Sequence, residues 1–208
     1  MPPAGRFITL EGGEGAGKST QTRQLAARLR LAGLNVVETR EPGGAAGAEI
    51  LRGLLLSGDV EWSLPAETLL HFAARAEHVE RTIRPALAAG TWVVCDRFYD
   101  STMVYQGFGL GADRATIATL TDLLALWPDL TLVLDIEVST VVARMRKRGT
   151  PLDRYERLGE GFFARVRDGF REIAAEHPVR CVLIDAEVEP QVVAARVWAT
   201  IQARLSPK

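Results

Sequence analysis

Eight residues, Gly12-Gly13-Glu14-Gly15-Ala16-Gly17-Lys18-Ser19, fit the pattern G-x-x-x-x-G-K-[ST], and Thr20 follows them. The glycines let consecutive backbone N–H groups turn inward and cradle phosphate oxygens. Lys18 would reach the β- and γ-phosphates, and the Ser19 hydroxyl can ligate Mg²⁺. A helix opening at Lys18 presents its positive dipole end to the same anion. This is the chemistry of binding a nucleoside triphosphate.

Other residues say what is done with the phosphate. Asp96, in "VVCDRF", is placed to hold Mg²⁺ directly or through water. A strand-end aspartate alone is often only a helix cap, so it counts because of the loop. Arg97 beside it is a fork suited to phosphate. "TREPGG" puts Arg40 and Glu41 before a Pro-Gly-Gly turn. Alone the pair reads as a salt bridge at a turn; two arginines at strand ends in a phosphate-binding fold point to a second phosphate site. The one dense basic segment, "RMRKRGTPLDRYER" (144–157), lies on one helix and a short Gly-Pro loop with acidic residues interleaved. That pattern fits an arginine-bearing lid better than a nucleic-acid patch. Phosphoryl transfer needs in-line positioning and positive charge on the transferring group, and a closing lid also excludes water.

The elements that must position these residues alternate. Five short apolar runs, 6–11, 35–40, 91–96, 130–135 and 180–185, lack polar alternation and read as strands buried on both faces of a parallel sheet. Helical periodicity occupies 18–32, 46–57, 64–89, 113–126, 138–148, 159–176 and 190–205. The order predicts a doubly wound α/β fold in one domain, residues 1–208, with ligands at the carboxyl ends of the strands.

Composition bounds the alternatives. The 208 residues are 47% hydrophobic and carry a formal net charge of -1, which leaves no overall electrostatic footprint for a nucleic-acid polymer or an anionic membrane. Cys95 and Cys181 sit in apolar runs and read as buried thiols in a reduced protein. "MPPAGRF" shows no signal-peptide pattern and no apolar run is long enough to span a bilayer, so a cytoplasmic protein is expected. N-K-x-D is absent, and no D-x-x-G follows a strand, which disfavours a guanine-nucleotide switch.

Beyond the loop, "TREPGG", "RGLLL", "AARAEHV", "RPALAAGTWVVCDRF", "DSTMVYQG", "PDLTLVLD" and "LDRYE…FFARVRDGF" occur in an order and spacing that resemble bacterial thymidylate kinases over nearly the whole chain. The resemblance implies a P-loop nucleoside monophosphate kinase fold with a five-stranded parallel sheet flanked by helices. It implies transfer of the ATP γ-phosphoryl to dTMP with Mg²⁺, by a homodimer. Carried over, Glu14 meets the acceptor's 3′-hydroxyl; Arg40 and Arg97 clamp the dTMP phosphate, with Glu41 and Arg52 nearby; Arg75 reads a base carbonyl; Thr102, Tyr105 and Gln106 line the acceptor pocket, the tyrosine crowding C2′. Gly15 stands where another branch has arginine, so the lid (about 144–158) would supply the catalytic arginine: Arg154 first, then Arg146 and Arg148, with Arg144 packing on adenine.

Two positions depart from the family pattern. Where a phenylalanine usually stacks on thymine this chain has His71, followed by Phe72. Either His71 stacks, or a small helix shift brings Phe72 in, or base preference has changed. Phe170 stands where a tyrosine is common and is expected in the core. His78, in the charged stretch "RAEHVER", is expected at the surface. The rival readings are another small nucleotide or nucleoside kinase on the same fold, and a P-loop ATPase or switch that would hydrolyse ATP without an acceptor.

Overall fold

The computed structural model describes residues 5–58, 60–148 and 154–206. Each of the five apolar runs forms a strand: β1 (Phe7–Gly12), β2 (Val36–Arg40), β3 (Trp92–Asp96), β4 (Leu130–Asp135) and β5 (Cys181–Asp185). All pair in parallel, in the order β2-β3-β1-β4-β5. The central β1 is buried along its whole length, whereas the edge strand β2 is partly exposed. This is why β1 reads as an unbroken apolar run: helices cover both of its faces.

Around the sheet lie α1 (Lys18–Leu31), α2 (Ala46–Leu56), α3 (Leu64–His78), α4 (Arg84–Ala88), α5 (Tyr99–Thr102), α6 (Arg114–Leu124), α7 (Val138–Arg148), α8 (Glu160–Glu176) and α9 (Pro190–Leu205). A π-helical turn, Val79–Ile83, joins α3 to α4, so the expected helix over 64–89 is continuous but widened in the middle. A second π-helical stretch, Met103–Gly109, prolongs α5. Sequence periodicity gave no helix there, because Gly107, Gly109 and the β-branched Thr102 and Val104 are poor helix formers. Packing imposes it. A Cβ on Gly109 would lie 2.5 Å from the Phe162 ring, and one on Gly169 would lie 2.8 Å from Phe108, so glycine on each side lets this stretch and α8 approach closely.

The core has two parts. The larger holds Ile8, Leu10, Leu132, Leu134, Phe162 and, as expected, Phe170. The smaller packs Phe7, Val79, Ile83, Val93, Cys95 and Phe98. Both cysteines are buried and free. Among the described residues no helix is long and apolar enough to cross a membrane.

Because β1 lies between β3 and β4 while α1 leads away to β2, the strand order reverses at the carboxyl end of β1. Ligands of doubly wound sheets bind in the crevice at such a point. The glycine loop (12–17), Arg40, Asp96 and Arg97 all emerge there.

Candidate active site

The glycine loop leaves β1 through backbone conformations that its residues permit. Gly12, Gly15 and Gly17 have φ of 135°, 67° and 91°, and a Cβ on Gly12 would meet the Leu134 carbonyl oxygen at 2.4 Å. The helix that follows starts at Lys18. Lys18 Nζ is buried and donates to the Gly12 and Gly13 carbonyls at 3.0 and 2.7 Å. Burial, reinforced by Arg97, depresses its pKa to about 8, opposed by Glu14 and Asp96. The Ser19 hydroxyl donates to Asp96 Oδ2 at 2.5 Å. A hydroxyl and a carboxylate meeting beside a phosphate cradle are hard oxygen donors, and they fit Mg²⁺, which takes one or two protein oxygens and completes its shell with water and substrate phosphate.

The loop itself, through Gly15, Gly17, Lys18 and Ser19, lines one side of a cavity of about 590 Å³ whose other lining residues include Glu14, Arg40, Glu41, Arg52, His71, Arg75, Arg97, Thr102, Tyr105 and Gln106. Ten of the eleven residues expected around the acceptor therefore line this one cavity; Phe72 is the exception. Arg97 is the link to the loop. Its Nη2 donates to Glu14 Oε1 at 2.6 Å and to the Tyr105 hydroxyl at 3.0 Å, while Nη1 donates to Ser101 Oγ at 3.1 Å. Tyr105 in turn donates to Glu14 Oε1 at 2.8 Å. Burial disfavours the Arg97 charge, but Tyr105, Glu14, Asp96 and Glu11 outweigh it and push its pKa above the ordinary arginine value. Arg97 also has φ of 70°, a conformation that non-glycine residues hold only when their surroundings enforce it, often at functional sites.

Arg40 and Arg52 form the outer rim. Arg40 pairs with Glu49 at 3.0 Å, and Arg52 donates to the Pro42 carbonyl at 2.7 Å. Burial and the nearby Arg40 lower the Arg52 pKa.

The inner wall is one face of α3. Glu67, His71, Arg75 and His78 recur at intervals of four, four and three residues, which aligns them along a helix. His71 lines the cavity, whereas Phe72 is buried beneath it, with the Arg75 guanidinium carbon 5.0 Å from its ring centre. Of the two candidates for the stacking position, the one that faces the cavity is thus the imidazole. Burial, then Arg75, Arg154 and Arg97, lowers the His71 pKa to about 3, so the ring is neutral. Arg75 is 3% exposed; its Nε donates to Glu41 Oε2 at 2.7 Å and its Nη2 to Thr102 Oγ1 at 3.0 Å. His78 overturns the expectation of a surface residue. It has no exposed surface, its Nδ1 lies 3.0 Å from Glu41 Oε1, and its Nε2 lies 2.7 Å from Thr39 Oγ1. The charged neighbours Glu77, Glu80 and Arg81 occupy the other face of the helix and masked this in the sequence.

The lid arginines divide. Arg144 donates to the Gly15 carbonyl at 2.8 Å and the Ala186 carbonyl at 3.2 Å, beside a second cavity of about 290 Å³ that also meets Gly17 and Thr20. Arg146 is exposed. Arg154 pairs with the buried Glu67 at 2.5 Å. The Arg148 side chain and residues 149–153 of the expected lid lie outside the described residues.

Sequence reasoning passed over Glu67, Tyr155, Ser101 and Glu11. The Tyr155 hydroxyl and Gln106 Nε2 both donate to Glu67 Oε1, at 2.7 and 3.0 Å, so the last part of the expected lid is tied to the acceptor wall. The four-residue interval from Glu67 to His71 and from His71 to Arg75 was the available signal. Ser101 and Glu11 had none, because their roles are contacts between distant elements: Glu11 accepts from Phe98 N–H at 2.7 Å and from Ser101 Oγ at 2.6 Å.

Known proteins share this arrangement. Residues 10–197 match the family model for thymidylate kinase. The chain is 54% identical to the thymidylate kinase of Rhizorhabdus wittichii, over 93% of this chain and 95% of that one. It is 49% identical to that of Afipia carboxidovorans, over 99% and 92% of the two chains. The crystal structure of thymidylate kinase from Ehrlichia chaffeensis superposes with a TM-score of 0.80 at 37% identity, covering 96% of this chain and all of that one. A triphosphate loop, a cation-lined cavity that takes in both that loop and Arg97, and likeness across almost the full length place this chain in the thymidylate kinase family.

Proposed function

We propose that the chain transfers the γ-phosphoryl group of ATP to dTMP, giving dTDP and ADP. The observation that carries this reading is that one cavity is lined both by the triphosphate loop, through Gly15, Gly17, Lys18 and Ser19, and by the acceptor residues. Glu14 belongs to the triphosphate loop and Arg97 leaves the strand beside it, yet both line the acceptor cavity. A donor and an acceptor phosphate bound there lie next to each other, as in-line transfer requires.

In the step, an oxygen of the acceptor phosphate attacks the γ-phosphorus and the bond to the β,γ-bridging oxygen breaks, releasing ADP. The attacking group is already an anion, so the site needs no general base. Lys18 and the loop N–H groups hold the β- and γ-phosphates; Arg97, with Arg40 and Arg52, holds the acceptor phosphate. Ser19 and Asp96 would hold Mg²⁺, which neutralises charge on the phosphates when bound. Tyr105, locked on Glu14 and Arg97, fills the space at C2′ and selects a deoxyribose. His71 and Arg75 meet the base, Thr102 and Gln106 complete the wall, and Arg144 borders the adenine position. Arg154 is the first choice for the charge on the transferring group, ahead of Arg146 and Arg148; it would have to leave Glu67 to act. The lid works as part of a single domain.

Steady-state transfer from ATP with Mg²⁺ to dTMP, dUMP, UMP, dCMP and dGMP tests the reading. Strong preference for dTMP is expected; preference for another acceptor retires the dTMP assignment, and hydrolysis indifferent to every acceptor retires the kinase. Arg154→Ala should lower kcat by about 10³-fold, the scale of a transition-state arginine, with little change in ATP affinity. Near-normal turnover would move that role to Arg146 or Arg148. The protein is further proposed to act in the cytoplasm as a homodimer. The exposed Ile50 and Leu54 of α2 and Leu69 of α3 offer an apolar face for the partner, and sedimentation measures it.

A further inference from the structure

Arg75 is held at two of its three nitrogens. Nε bonds Glu41 Oε2 and Nη2 bonds Thr102 Oγ1, while Phe72 and Phe98 lie with ring centres 5.0 and 5.3 Å from its guanidinium carbon. The third nitrogen, Nη1, is buried with no hydrogen-bond partner among the described residues. A buried guanidinium N–H without an acceptor is costly, and Arg75 lines the acceptor cavity, so a ligand carbonyl is the group that would satisfy it. Where Nη1 points depends on Glu41, and Glu41 depends on His78.

Glu41 accepts from Arg75 through Oε2 and meets His78 Nδ1 through Oε1 at 3.0 Å. A carboxylate only accepts, so Nδ1 carries the proton. Nε2 is then free to accept from the Thr39 hydroxyl, 2.7 Å away. The ring's place is built into the turn after Glu41. A Cβ on Gly44 would lie 2.4 Å from His78 Nε2, and the Gly44 carbonyl is tied down by the Thr82 hydroxyl at 2.8 Å. Thr39, Glu41 and Gly44 come from the β2 end and its turn, and His78 and Arg75 from α3, so the relay joins two elements at the acceptor wall.

We propose that His78 is a positioning residue for recognition of the acceptor base: by fixing Glu41 it sets the plane of the Arg75 guanidinium, so that Nη1 meets a pyrimidine carbonyl. The inference rests on the reading of Arg75 as the residue that meets the base. A histidine serving only to fill the core would change stability when replaced. A positioning histidine also changes how well the site tells a base carbonyl from an amino group. Thymine and cytosine differ in this way at C4.

Transfer to dTMP and dCMP is therefore measured with the intact chain and with His78→Leu, His78→Gln, His78→Asn and Arg75→Ala. His78→Leu is expected to raise KM for dTMP by about ten-fold, equivalent to one hydrogen bond to a charged group, with kcat held within about three-fold and KM for ATP unchanged. The preference for dTMP over dCMP should narrow by a similar factor. His78→Asn, whose amide nitrogen can stand where Nδ1 stands, should restore most of both. His78→Gln places its amide where Nε2 stands, leaves Glu41 Oε1 without its bond from residue 78, and should behave as His78→Leu does. It also provides the test if the leucine variant does not fold. Wild-type KM and selectivity in His78→Leu or His78→Gln, while Arg75→Ala loses both, would overturn the positioning role and leave the reading of Arg75 intact. Wild-type selectivity in Arg75→Ala would overturn the reading and the proposal together.

Discussion

At the scale of single residues, the surroundings of Lys18 and His71 fix their charge states. Lys18 is depressed to about 8, chiefly by burial, so the free enzyme loses the positive charge of its phosphate cradle as pH rises through that value. The deprotonated amine binds a polyanion less well, so kcat/KM for ATP is expected to fall above pH 8; a pH profile of this quantity, which reports groups of the free enzyme, checks it. A profile flat to pH 9.5 would contradict it. His71 is pushed the other way from usefulness as an acid, to about 3, by burial and then by Arg75, Arg154 and Arg97. Any inflection of acceptor KM at about pH 6–7 should therefore come from the acceptor's own phosphate and should persist in His71→Phe. If the neutral ring only stacks on the base, His71→Phe should lower KM for dTMP by roughly two- to ten-fold, the gain an aromatic pair brings. A rise in KM would mean that the bond from Nε2 to the Tyr155 hydroxyl, at 3.2 Å, matters more than ring area. The residues legible in the sequence were those whose type and spacing carry the chemistry within a few positions, such as Gly12 to Thr20. His78 was not, since its partner Glu41 lies 37 positions away.

At the scale of elements, the helical stretch from Tyr99 to Gly109 carries Ser101, Thr102, Tyr105 and Gln106, and it is the piece that periodicity did not reveal. Strands and amphipathic helices announce themselves through apolar spacing. This stretch is helical because α8 accepts it, so its conformation depends on residues some 60 positions later. Gly169 is the contact that tests this. A methyl group there meets Phe108 Cγ at 2.8 Å and Phe108 Cβ at 3.0 Å, and the second of these is close to backbone. Gly169→Ala is expected to destabilise the fold by about 1–3 kcal/mol through overpacking. Because the displaced stretch holds acceptor residues, KM for dTMP should rise while KM for ATP stays put. Calorimetry and acceptor kinetics on one preparation read both. An unchanged melting temperature would show that the two helices can separate at no cost, and that the glycine is incidental.

At the scale of the whole molecule, the fold gathers its costly groups at one end of the sheet. Glu11, Lys18, Glu41, Glu67, Arg75 and Asp100 are all buried near the carboxyl ends of the strands or in the helices facing them. Burial, with Asp100 adding to it, raises the Glu11 pKa to about 8, although Ser101, Arg97 and Phe98 pull it down. The folded protein therefore keeps a proton that the unfolded chain releases near 4.5. It follows that stability from this group is fully present below about pH 4.5 and is lost as pH rises to about 8, at up to ~1.4 kcal/mol per pH unit. Glu11→Gln removes the titration, so its urea-unfolding free energy should lose less than the wild type's between pH 5 and pH 8. If the two proteins lose stability in parallel, Glu11 titrates alike in both states and the cost lies elsewhere. The position of this carboxyl group explains why the fold tolerates it. It grips Phe98 N–H and the Ser101 hydroxyl, and Ser101 Oγ receives Arg97 Nη1, so the group that weakens the fold at neutral pH also sets the turn from which Arg97 reaches the acceptor phosphate.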